Sequence, residues 1–193
     1  MAKKKLKDIV CPSPENLMVI GSSTVPYQYD IPRHLVEEMS AVFNFDKVAD
    51  NLRNSKDKGA ILRDYGFKVV KELVPLEKKH RDRTAEMIDM VAAKTGIYFP
   101  HVFQRYLEVF YNSVMPKNRY QVDVSTVREI KTEVSECTFK KHLTEAGISE
   151  DVCREFCRSV VEGIGRSLGM NLKFSIKHDP AGETCEHQFI AGE

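Results

Sequence analysis

Asn171-Leu172-Lys173-Phe174-Ser175-Ile176-Lys177-His178 alternates apolar and polar residues without a break. After Asp179-Pro180-Ala181-Gly182, a turn by composition, a second run, Thr184-Cys185-Glu186-His187-Gln188-Phe189-Ile190, alternates again. A period of two is the signature of a strand with one buried face, and two such runs around a short Pro/Gly turn predict an antiparallel hairpin. Leu172, Phe174, Ile176 and His178 then share one face of the first strand, and Cys185, His187 and Phe189 one face of the second. A sheet with one apolar face requires a covering layer, and the upstream sequence supplies helices for it. The predicted class is α+β, with N-terminal helices on a C-terminal antiparallel sheet.

Working outward, Ser149-Glu150-Asp151 provides a helix start for a segment running to Leu168, with Gly169 as its stop. Residues 121–125 and 127–137 are rich in β-branched side chains and read as strands. Further upstream Leu35, Met39 and Phe43 recur every four residues, with Asp30 as the expected N-cap and Pro32 early in the helix. Residues 46–55 and 60–73 give two more amphipathic segments, the second closed by Pro75. Residues 77–94 read as a charged helix with Met87, Ile88 and Val91 inward and Gly96 at its end. Phe99, Phe103, Tyr106 and Phe110 fall on one helical face. Core packing, a ligand-pocket lining and contact with a second subunit all fit that stripe, and the four residues are carried as candidate ligand-binding positions. Residues 1–28, with Pro12, Pro14, Gly21 and Pro26 around Leu17-Met18-Val19-Ile20, read as an irregular lead-in to a single domain over 29–193.

The chain has 193 residues, and its 29 Lys+Arg against 28 Asp+Glu exclude a strongly basic nucleic-acid-binding surface. An apolar content of 42% argues against disorder. No apolar run approaches the ~20 residues that span a bilayer, so no membrane partner is expected. The Lys3-Lys4-Lys5-Leu6-Lys7 run reads as a solvated tail without the apolar stretch of a secretory signal, which predicts a cytoplasmic protein. Five cysteines, an odd count, point to thiols or metal ligands rather than a disulfide framework.

Cys153 and Cys157 are four apart on a predicted helix, so both thiols emerge on one side of it. The hairpin presents His178 near its turn, with Cys185 and His187 just across. Thiolate and imidazole are the donors zinc favours, and the same set suits iron. Inert buried thiols are the competing reading. Glu133 and Glu136, on the strand ending at Cys137, are candidate oxygen ligands or surface carboxylates.

Glu136-Cys137, Glu145-Ala146-Gly147, the helical Cys153 and Cys157, Leu168-Gly169 and Ala181-Gly182-Glu183-Thr184-Cys185-Glu186-His187-Gln188-Phe189 together resemble the signature of the 4-vinyl reductase domain family and of the similar aminothiazoline-carboxylate hydrolase family, over about 60 of the 193 residues. The first resemblance implies a TRAPP-like α+β fold, homodimerisation and a small hydrophobic or aromatic ligand. It also implies, in some members, zinc held by a carboxylate and three cysteines. Carried over by position, the ligands are Glu133 or Glu136, Cys153 or Cys157, His178 and Cys185. His178 stands where family members commonly have cysteine, and the second helical thiol and His187 are additional donors, so zinc is the expected metal and iron the alternative. Cys137, Cys153 or Cys157 with Cys185 are also the thiols an iron-sulfur cluster would use. The second resemblance implies a hydrolase opening a small cyclic C=N compound. Either a metal-activated water or a Cys185 thiolate would attack, with His178 or His187 moving the proton. Beside two histidines Cys185 is expected to be a reactive, low-pKa thiol. A protein-assembly subunit without ligand or metal is the third reading.

Overall fold

In the computed structural model, which describes residues 29–114, 119–178 and 184–192, the two alternating runs form β3 (Leu172–His178) and β4 (Thr184–Ala191), paired antiparallel. With β1 (Tyr120–Ser125) and β2 (Glu129–Ser135) they complete a four-stranded sheet in the order β1-β2-β4-β3. Register aligns the inward residues in rows. Val134, Cys185 and His178 make one row, Thr132, His187 and Ile176 the next, and Ile130, Phe189 and Phe174 the third. The alternate residues, Lys131, Glu133, Glu186, Gln188, Lys173 and Lys177 among them, form the outer face.

Helices α1 (Arg33–Val42), α2 (Asp46–Asn54), α3 (Lys58–Lys79), α4 (Arg83–Thr95) and α5 (His101–Val114) precede the sheet. Helix α6 (Thr138–Glu145) and, after a 3-10 turn at Glu150–Val152, helix α7 (Cys153–Ser167) lie between its two halves. The α+β class is therefore observed, with helices mostly N-terminal. Helix α5 is buried almost throughout, so its polar residues need internal partners. Gln104 donates to Glu108 at 2.7 Å, and Glu108 accepts the Tyr29 amide at 2.8 Å.

Helix α3 crosses α7 at closest approach where side chains are smallest. A Cβ on Gly66 would stand 2.0 Å from Ser159 Oγ and 2.9 Å from the Phe156 carbonyl oxygen, and one on Gly163 would stand 3.0 Å from Val70. The missing side chains let two backbones meet, and the aromatic cluster of Phe43, Phe110, Phe139 and Phe156 fills the space beside them.

The structure corrects several sequence expectations, among them the charged helix over 77–94, which is broken between Lys79 and Arg83, with Asp82 capping α4. Pro75 does not close α3, which continues to Lys79. The proline removes one helical hydrogen bond, but the turn beyond it places fully buried Glu77 between Arg105, at 2.7 Å, and Arg81, at 2.7 Å, and that pairing holds the helix through the break. The N-cap of α1 is Pro32, with no side-chain bond from Asp30. Met87 and Val91 face outward, 57% and 37% exposed, because α4 meets α5 through the small Ala85 and Ala92, which turns the larger residues away. Helix α6 is not announced by its sequence, since its buried apolar residues are only Phe139 and Leu143. The lead-in at residues 1–28, Cys11 included, lies outside the described residues.

Two outcomes follow for stability. Gly66→Ala is expected to lose about 1 to 3 kcal/mol in urea unfolding, whereas Gly59→Ala, whose Cβ meets nothing nearer than 3.6 Å, does not lower the midpoint. Glu77→Ala, which strands the buried Arg105 guanidinium while Arg81 keeps Asp89 at 2.6 Å, is expected to cost about 3 to 5 kcal/mol in the same measurement.

Candidate functional site

Four cysteines reach one place from three elements. Cys137 caps α6, Cys153 and Cys157 occupy successive turns at the start of α7, and Cys185 sits on the inner face of β4 between Val134 and His178. All four are free thiols. Together with His178, His187 and Lys140 they line a cavity of about 20 Å³ whose remaining wall is apolar, from Phe110, Val114, Val134, Phe139, Phe156 and Ile176, with Tyr111 beside His187. That volume suits a single water or ion.

The sequence-predicted residues Cys153, Cys157, His178, Cys185 and His187 are thus brought together. His178, exposed at the mouth, has Nδ1 3.1 Å from Cys185 Sγ. Lys140 lines the same opening and extends its ammonium 3.0 Å from the Glu150 carboxylate. Glu133 does not join them, because it alternates with inward Thr132 and Val134 and so points from the opposite face of the sheet, beside Glu186. Glu136 is exposed and ion-paired with Arg119. Of the aromatic stripe, Phe110 lines the cavity. Phe99 and Phe103 stack on each other, Phe103 meets Phe189 edge-on, and the Tyr106 hydroxyl accepts from Arg81 at 2.9 Å, so these three serve the interior.

Burial governs the electrostatics. It pushes Cys153 up to about 12 and Cys185 up to about 11, with neighbouring Cys137 adding to both and Lys140 opposing. Cys157 is raised well above the usual thiol range by burial and by the other three thiols, and Cys137 is raised by burial as well. The expected low-pKa thiol at Cys185 is therefore reversed: loss of hydration outweighs the nearby cation and imidazole, and the thiol stays protonated at neutral pH. His187 is depressed to about 4 by complete burial and by His178.

A hydrogen-bonded chain missed in the sequence anchors this wall. The Tyr111 hydroxyl lies 2.7 Å from His187 Nδ1 and 2.9 Å from Thr132 Oγ1. Either tautomer completes it. With the imidazole proton on Nε2, Tyr111 donates to Nδ1 and accepts from Thr132; with it on Nδ1, His187 donates to the Tyr111 oxygen and the Tyr111 hydroxyl donates to Thr132. Burial also raises Tyr111 well above its ordinary range, so the phenol remains protonated. No spacing rule joins residues 111, 132 and 187. Cys137, which the sequence offered as an iron-sulfur thiol but not among the zinc ligands, is the fourth thiol of the cavity.

Among the described residues, no three His, Cys, Asp or Glu side chains are arranged to hold a metal ion in the conformation present. The donor types at the cavity, thiol and imidazole, are those zinc favours.

No family model matches the sequence, and no curated protein sequence matches it. Among solved structures, the chain has a distant likeness to the Fe(II) unliganded H-NOX protein from K. algicida, at 12% identity and TM-score 0.41, covering 83% of this chain and 88% of that one. A point mutant of that protein matches at 10% identity and TM-score 0.42, over 85% and 89%.

The His187 shift fixes a pH dependence. The fold holds the imidazole neutral down to about 4, whereas the unfolded chain takes up the proton near 6.5, so stability present above 6.5 is lost as pH falls toward 4. The contribution is on the order of 3 kcal/mol. His187→Gln is expected to flatten the fall in urea midpoint across that window.

Proposed function

We propose that the chain is a small-molecule-binding domain whose cavity carries a Cys/His metal site beside the C-terminal hairpin. The observation that supports this reading is the gathering of four of the five cysteines and two of the six histidines around one apolar cavity. The residues that would hold the metal are Cys153, Cys157, Cys185 and His178, with Cys137 in the same cavity. Glu133 is not among them.

Zinc in such a site supplies charge that stabilises thiolates and a rigid link between elements. The chain's own contribution is a dry, preformed wall and an imidazole at the mouth that directs Nδ1 toward Cys185. The apolar ligand enters at the expense of α6. A cavity of about 20 Å³ admits no organic molecule as it stands, and α6, a short helix held in the core by Phe139 and Leu143, is the wall we take to give way. Phe139 stacks on Phe156 with ring centres 4.2 Å apart, and a flat aromatic ligand would replace that stack. A TRAPP-like arrangement and a homodimer belong to the same reading.

Elemental analysis of protein purified without a histidine tag tests it. Near-stoichiometric zinc is expected, lost in Cys153→Ser/Cys185→Ser together with a Tm lower by several degrees; iron in its place identifies the alternative metal. Metal-free protein, with thiols that react only after unfolding and unchanged behaviour after added zinc, overturns the metal half of the proposal.

A further inference from the structure

β3 is an edge strand: among the described residues it pairs only with β4, so alternate N–H and C=O groups along its other side have no ladder partner. That side opens on a groove of about 320 Å³ between β3 and α7. Val161, Met170, Leu172 and Phe174 give the groove apolar lining, and Gly165 gives it depth, since a Cβ there would stand 3.3 Å from Leu172. Its helical rim carries Arg158 and Arg166 two turns apart, with Glu162 on the turn between them and 3.5 Å from Arg166. On the outer face of the same strand, Lys173 and Lys177 are exposed. Lys177 lies 3.4 Å from Glu186, and Lys173 has no ion-pair partner among the described residues.

We propose that this edge binds an extended segment of a partner protein in which apolar and acidic residues alternate. A strand added to β3 has its side chains alternate between the two faces of the sheet. One set meets Leu172, Phe174 and Val161 in the groove, and the other lies beside Lys173 and Lys177. The first set must therefore be apolar and the second acidic. Antiparallel self-pairing centred on Ser175, the register that overlaps the whole strand, sets Lys173 of each chain opposite Lys177 of the other, which argues against a second copy as the occupant. Residues 1–28 of the chain itself carry Lys3, Lys4, Lys5 and Lys7 against Asp8 and Glu15, a charge balance of the wrong sign. Edge lysines discourage self-association, and the same two charges select an acidic strand.

Fluorescence anisotropy of a short labelled peptide of alternating Val and Glu, titrated with the full chain, tests this. Saturable binding is expected, with slowed amide exchange over Leu172–His178. Lys173→Glu/Lys177→Glu, at two exposed positions, should keep the circular dichroism spectrum, weaken the Val/Glu peptide by about tenfold or more, and gain binding to a Val/Lys peptide. The assignment is overturned if a peptide of the same composition in block order binds equally well, or if charge reversal changes nothing. It is also overturned if sedimentation shows this chain dimerising through the edge, a dimer that the lysine variants abolish.

Discussion

The close crossing of α3 and α7 at Gly66 and Gly163 is the constraint on which the remaining arrangement depends. Because no side chain separates the helices there, α7 lies deep in the molecule, with Phe156, Val160 and Ile164 fully buried along it. That depth carries Cys153 and Cys157 down to the level of the sheet, where Cys185 and His178 face each other across β3 and β4. A larger residue at either glycine would lift the helical thiols away from the strand-borne ones. The site is thus a consequence of helix packing more than of any local motif, which is why its members are spread over the span from residue 137 to 187.

A second constraint acts from the opposite wall. Tyr111 on α5, Thr132 on β2 and His187 on β4 form a fully buried polar chain that fixes the depth of the sheet beneath α5. Buried polar groups are tolerable when all are satisfied, and a satisfied set rigidifies its surroundings. The same burial that holds His187 neutral keeps the thiols protonated. The cavity therefore carries donors of high intrinsic basicity in a form that a proton-displacing cation converts and a weak electrophile does not.

Much of this was legible in the sequence where a period could be read. The strict alternation in 171–178 and 184–190 marked both strands and the correct faces, and Cys153, Cys157, His178, Cys185 and His187 were legible as a group for that reason. Pro75 misled because local propensity carries no knowledge of the buried Glu77 pairing beyond it. Met87 and Val91 misled because a helix on a small-residue seam faces its alanines inward, the reverse of hydrophobic ranking. Glu133 failed by one residue of strand parity, since carboxylate identity suggested a ligand where alternation points the side chain to the outer face. The Tyr111 chain was invisible because it is made by three elements with no sequence relation.

The size of the cavity joins these points into one account of what the proposed site would do. A void that fits an ion or a water but no organic molecule leaves two ways to be used. A bound ion, with the donor side chains turned toward it, would tie α7 to the hairpin, three of the six elements that line the void. On the proposed reading an apolar ligand would displace α6, and Cys137 at its cap would move with it. A thiol on the one yielding wall, with its fellows on fixed walls, links occupancy by ligand to the coordination around the ion. On the proposed reading, metal and ligand therefore act on one another through Cys137 and α6, with the Tyr111 chain keeping the sheet still while the helix moves.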